Sequence, residues 1–75
     1  MTTYTATFSN GEIKSRNSKK EYSFCWAFMY KGKVSKIGFS VELKGAENAV
    51  NSYKNLYISE TKCDPNNCDT EIINL

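Results

Sequence analysis

Between Tyr22 and Tyr30 the side chains alternate with a period of two. Tyr22, Phe24, Trp26, Phe28 and Tyr30 fall on one side, and Ser23, Cys25, Ala27 and Met29 on the other. This is the pattern of a β-strand with two unlike faces. A second run, Tyr4, Ala6 and Phe8 set between Thr3, Thr5, Thr7 and Ser9, predicts another strand with an apolar and a hydroxyl face. Asn10-Gly11 interrupts it. The dipeptide suits either a glycine bulge, which lets the strand continue to Lys14, or the tight turn of a hairpin. Pairing favours the bulge. With a turn at Arg16-Asn17-Ser18-Lys19, Lys14 then faces Glu21, Ile13 faces Tyr22, Phe8 faces Trp26, Ala6 faces Phe28 and Tyr4 faces Tyr30, so every apolar position meets another.

Lys31-Gly32 reads as a two-residue turn. It pairs Phe28 with Ser35, Trp26 with Ile37, Phe24 with Phe39 and Tyr22 with Val41, which makes the aromatic row the middle strand of an antiparallel meander. Its apolar face needs a lid. Ala46, Ala49, Val50, Tyr53 and Leu56 recur at spacings of three and four, which predicts an amphipathic helix of about three turns. Beyond it, Leu56-Tyr57-Ile58 opens an extended segment to Cys63. Asp64-Pro65-Asn66-Asn67 has type I turn chemistry, and Cys68–Leu75 returns as the second arm of a hairpin. In that hairpin Lys62 faces Asp69 and Ile58 faces Ile73, but Glu60 meets Glu71. The expectation is one α+β domain over residues 1–75: a three-stranded antiparallel β-meander with one helix on a face, then a C-terminal β-hairpin, in the order β-β-β-α-β-β.

Composition narrows the function classes. Histidine is absent, so Ser-His and Cys-His nucleophile pairs are excluded. The glycines stand singly with no phosphate-cradling loop, and the acids fall in turns and at polar positions. These features argue against an enzyme and imply no cofactor. Cys63 and Cys68, spaced C-x4-C, lack enough partners for a structural zinc site, since only Cys25 remains. Across the expected hairpin they face one another, either as two reduced thiols or, in an oxidising setting, as a disulfide. An odd cysteine count, no visible leader pattern and no long apolar run imply a cytoplasmic, reducing home away from membranes.

Net charge is only +2, but it is unevenly spread: Met1–Lys44 holds eight basic and three acidic residues, Gly45–Leu75 two and five. Two binding surfaces follow. The quiet face of the meander, with Thr5, Thr7, Ser23, Cys25, Ala27, Met29 and Lys36, is flat and nearly free of charge, the anatomy of a protein-binding patch. Its partner would be another protein, for instance a host protein or nucleoprotein, and the same face or an edge strand could join copies of the chain. The alternative is DNA binding through the sheet and the basic turns, Lys14, Arg16, Lys19 and Lys20 at one and Lys31 and Lys33 at the other. A single arginine, and basic turns expected at opposite ends of the sheet, weigh against it. The sequence therefore points to a non-catalytic interaction module, a small protein-binding accessory or inhibitory protein of bacteriophage type.

Overall fold

The computed structural model describes residues 1–75 and has three layers. Strands β1 (Thr2–Thr7) and β2 (Ile13–Ser18) form an antiparallel hairpin of their own. β3 (Phe24–Tyr30) is the middle of a second antiparallel sheet in the order β4-β3-β5, with β4 at Lys33–Ser40 and β5 at Cys68–Asn74. Helix α1 (Leu43–Thr61) lies between β4 and β5 in the chain, followed by a 3-10 turn at Pro65–Asn67. This is the expected α+β class, one helix packed against antiparallel sheet.

The helix covers the aromatic side of β3. Trp26 and Phe28 are buried against Ala46, Val50 and Cys68, with Phe24, Tyr30, Tyr53, Tyr57 and Ile72 around them. Small side chains at Ala46 and Ala49 let the helix approach, and Tyr53 and Tyr57 reach Phe28 edge-on and tilted, with ring centroids 5.4 and 4.9 Å away.

The other side of β3 is covered too, by the β1–β2 hairpin. Ala6 and Phe8 press on Cys25, Ala27 and Met29, and Val34, Ile37, Phe39 and Ile73 close the cluster. Cys25 and Ala27 are 0% exposed and Met29 5%. The quiet face is a second core, so these three residues cannot form a protein-binding patch.

That arrangement depends on the chain at Asn10-Gly11 turning back as a hairpin. Gly11 sits at φ 89°, Gly11 N–H donates to Phe8 O, and Phe8 N–H donates to Glu12 O, both at 2.9 Å. The register pairs Thr7 with Ile13 and Tyr4 with Arg16, so β1 never joins the meander and the bulge expected at Asn10-Gly11 does not form.

The Lys31-Gly32 turn forms as expected, with positive φ at both residues (52° and 79°) as a type I′ turn requires. It pairs Tyr30 with Lys33 and Met29 with Val34. An irregularity between Phe28 and Met29 then makes Ser35 an extra residue. Past it Phe28 meets Lys36, Ala27 meets Ile37, Trp26 meets Gly38 and Cys25 meets Phe39, one residue away from the expected register. The shift turns Ile37 and Phe39 toward the hairpin and leaves Gly38 beneath the indole. A Cβ on Gly38 would fall on Cε2, Cζ2 and Nε1 of Trp26, so only glycine fits there.

The C-terminal hairpin is also replaced. The helix runs through Leu56-Tyr57-Ile58 to Thr61, because Tyr57 and Ile58 continue the face begun by Val50 and Tyr53. It stops at Lys62, whose left-handed φ of 54° lets its N–H donate to Ile58 O at 2.9 Å. β5 then pairs with β3, Ala27 against Glu71 and Cys25 against Ile73. Glu60 and Glu71 therefore never meet.

Candidate macromolecule-binding surfaces

With both faces of the central sheet covered, the free surfaces are the outside of the hairpin, the outer face of α1 with Leu43 and Leu56 exposed, and the sheet edges. On the outside of the hairpin Thr3, Thr5 and Thr7 stand opposite Asn17, Ser15 and Ile13, all exposed. Thr3 Oγ1 donates to Asn17 Oδ1 at 2.6 Å, and the Thr5 and Ser15 hydroxyls lie 3.2 Å apart. Ile13 is 63% exposed and is the one large apolar residue of this face. Thr5 and Thr7 thus remain at the surface, but on a different sheet from their expected companions. Ser23 is exposed where the strands end, its N–H donating to Ser40 O and its carbonyl accepting from Leu75 N–H. Lys36 is exposed on β4 opposite Phe28.

The basic residues come together in a way the sequence hides. β2 tracks β4: its approach is held at β4's start by Glu12, whose Oε2 accepts the Val34 N–H at 2.7 Å, and at β4's end by Arg16, whose guanidinium lies 5.7 Å from the Phe39 ring. Glu12 is the joint between the two basic segments. Its carboxyl is held below the ordinary range first by the Val34 N–H, then by the Asn10 amide, with Lys14 and Lys33 adding attraction. Lys14 Nζ lies 3.8 Å from it. The Asn10 amide also donates to Gly32 O at 2.9 Å, which docks the hairpin loop on the Lys31-Gly32 turn.

Farther along, Arg16 lies 5.5 Å from the Tyr22 ring and Lys20 5.8 Å from the same ring. Tyr4 secures this end. Its hydroxyl donates to Lys20 O at 3.2 Å and accepts the Tyr22 N–H at 3.1 Å, while its ring meets Tyr22 edge-on. Lys14 thus shares Glu12 with Lys33 near the Lys31-Gly32 turn, and Arg16 and Lys20 share the Tyr22 ring at the far end, with Lys19 exposed next to them in the chain. Lys36 lies on β4 opposite Phe28, which packs under the helix. The two basic turns stand at opposite ends of the sheet as expected; what the structure adds is β2, whose Lys14 and Arg16 run between them.

The opposite edge is acidic. Asp69 and Glu71 lie on β5, just after Asp64. Glu71 accepts the backbone N–H and hydroxyl of Ser9, with N–O distances of 3.2 and 3.1 Å, and so ties the hairpin to β5 as Glu12 ties it to β4. The surface holds no cleft, no three metal-ligating side chains converge, and no helix is long and apolar enough to cross a membrane. The chain matches no protein-family model, no curated protein and no solved structure.

Proposed function

We propose that the chain is a non-catalytic interaction module that binds nucleic acid along the basic side formed by β2, the Lys31-Gly32 turn and β4. One observation carries this reading. Folding sets β2, with Lys14 and Arg16, against β4: Lys14 and Lys33 both act on Glu12 at the start of β4, and Arg16 and Lys20 lie over the Tyr22 ring near its end, while Asp69 and Glu71 lie on β5, the other edge of the sheet. A basic stripe of this kind is the electrostatic footprint of phosphate binding. Of the acids interleaved with it, Glu12 is already held by backbone and amide N–H groups. Arg16 and Lys20 present their charge over an aromatic ring, which fixes position without neutralising it. The absence of histidine supports a binding role over catalysis. A small accessory or inhibitory protein of bacteriophage type, acting in the cytoplasm on a nucleoprotein, suits this surface.

Fluorescence anisotropy of labelled duplex and single-stranded oligonucleotides, at two salt concentrations, tests it. Binding should weaken steeply with salt, and Arg16→Ala and Lys20→Ala should each lower affinity and reduce the slope of log affinity against log salt by about one. No binding at low salt, or variants indistinguishable from the parent chain, overturns the proposal. A second reading, protein binding, is favoured by the uncharged outer face of the hairpin with Ile13 at its edge. Thr5→Lys should abolish capture of such a partner and leave oligonucleotide binding intact.

A further inference from the structure

The thiols of Cys63 and Cys68 stand 3.7 Å apart. No expected hairpin brings them there. The helix ends in the left-handed turn at Lys62, and the following loop is folded by its own bonds. Asp64 Oδ1 accepts the Asn66 N–H at 2.9 Å, Asp64 O accepts the Asn67 N–H at 3.0 Å, and the Cys68 N–H donates to Pro65 O. Cys68 then enters β5 opposite Tyr30. One thiol is thus fixed at the helix end and the other at the start of a strand, by backbone that forms without any link between them.

We propose that Cys63 and Cys68 are a dithiol modification site, converted to an intramolecular disulfide by exchange with a small-molecule disulfide. Cys63 is half-buried and Cys68 only 6% exposed, so Cys63 is the attacking thiol. Its thiolate displaces one thiolate from the small disulfide and becomes a mixed disulfide. The Cys68 sulfur, its proton passing to water, attacks the Cys63 sulfur and expels the second thiolate. Two protein thiols are oxidised to one disulfide, and one small-molecule disulfide is reduced to two thiols. Closing the bond asks the sulfurs to approach from 3.7 Å to about 2.05 Å, a movement within reach of side-chain rotation. Burial pushes the Cys68 thiol up, with Cys63 adding to it, which fits a resolving rather than an attacking role. Cys25 is a built-in control: it is 0% exposed between the sheet and the hairpin, and burial pushes its thiol up to about 11.

The test incubates the reduced full chain with mixtures of reduced and oxidised glutathione, then blocks free thiols with iodoacetamide under denaturing conditions for intact mass and peptide mapping. The reduced chain has three alkylatable thiols. Oxidation should remove two of them, give a chain lighter by two hydrogen atoms before alkylation, and link the Cys63 and Cys68 peptides, with Cys25 still alkylated. Cys68→Ser should instead stop at a glutathione adduct on Cys63. Three free thiols under an oxidised glutathione pool, a link to Cys25, or disulfide-linked dimers as the main product would each overturn the proposal. The parent chain decides the question by peptide mapping even where the serine variant folds poorly.

Discussion

Gly38 is the position at which the packing is most exposed to a single methyl group. It lies opposite Trp26, and the Cβ of an alanine would land on three atoms of the indole. The ring cannot move aside freely. It is 9% exposed and shares its layer with Ala46, Val50 and Tyr53, whose ring centroid is 6.3 Å away. Overpacking of this kind costs about 1–3 kcal/mol. Complete expulsion of the indole would forfeit the burial of roughly 150–250 Å² at about 25 cal/mol per Å², or about 4–6 kcal/mol. Alanine recovers about 0.4–1 kcal/mol through its stiffer unfolded chain. Gly38→Ala should therefore lose about 2–4 kcal/mol, which for a domain of this size lowers Tm by roughly 10–20 °C. Urea titration followed by circular dichroism measures it, with the helix as the signal. The mechanism is isolated by repeating the substitution in a Trp26→Leu background, where the ring is gone and the cost should largely vanish. A Gly38→Ala chain within about 0.5 kcal/mol of the parent, or an equal cost in both backgrounds, would refute the account of this contact.

Two further outcomes bear on the hairpin. Ala27→Asp places a carboxylate on a fully buried position whose strand neighbours are Ile37 and Glu71; it should unfold the chain, and a native circular dichroism spectrum for this variant would mean that the hairpin does not cover β3. Glu12 carries the opposite expectation for pH. Its folded carboxyl lies below the ordinary value of 4.5, so its contribution to stability is present above that value and lost as pH falls through the lower folded value. The stability gap between the parent chain and Glu12→Gln, read from urea midpoints across that range, should narrow with acidification; a gap that widens or stays constant would contradict the hydrogen-bonding assigned to Glu12.

The parts of this fold that are legible in the sequence are those with local causes. The alternation of Tyr22 to Tyr30, the positive-φ turn at Lys31-Gly32 and the helical face of Ala46, Val50 and Tyr53 each follow from neighbouring residues. Asn10-Gly11 was ambiguous because a hairpin loop and a glycine bulge want the same left-handed backbone, and only the long-range partner of β1 decides between them. Leu56-Tyr57-Ile58 resembles a strand by composition, yet Tyr53, Tyr57 and Ile58 keep helical spacing, and period outweighs composition when a surface is waiting to be covered. The Ser35 bulge did leave a trace. Val34, Ile37 and Phe39 all belong to the cluster beneath the hairpin, but the first two are three positions apart and the last two only two. A regular strand cannot put all of them on one face, and an extra residue between Val34 and Ile37 does. The second core left a fainter trace: Cys25, Ala27 and Met29 are residue types usually found inside, whereas a solvated strand face of this length would carry charge.

The candidate surface was illegible for the same reason that it exists. Lys14 and Arg16 are separated from Lys31 and Lys33 by the whole of β3, and the meander expected from pairing alone keeps the two groups at opposite ends. What brings Lys14 to Lys33 is the hairpin folding across the sheet, fixed by the bond of Glu12 to Val34 of β4 and by that of Glu71 on β5 to Ser9. Glu12 thereby seats the start of β2 on β4, and Glu71 holds the loop after β1 on β5. Sheet order completes the separation of charge, since β4 with Lys33 and Lys36 and β5 with Asp69 and Glu71 occupy the two edges of a three-stranded sheet. Like edges then repel, which opposes two-fold pairing of copies through either edge. β3 itself is buried on both faces, and its aromatic row under the helix and its small residues under the hairpin hold the layers in place.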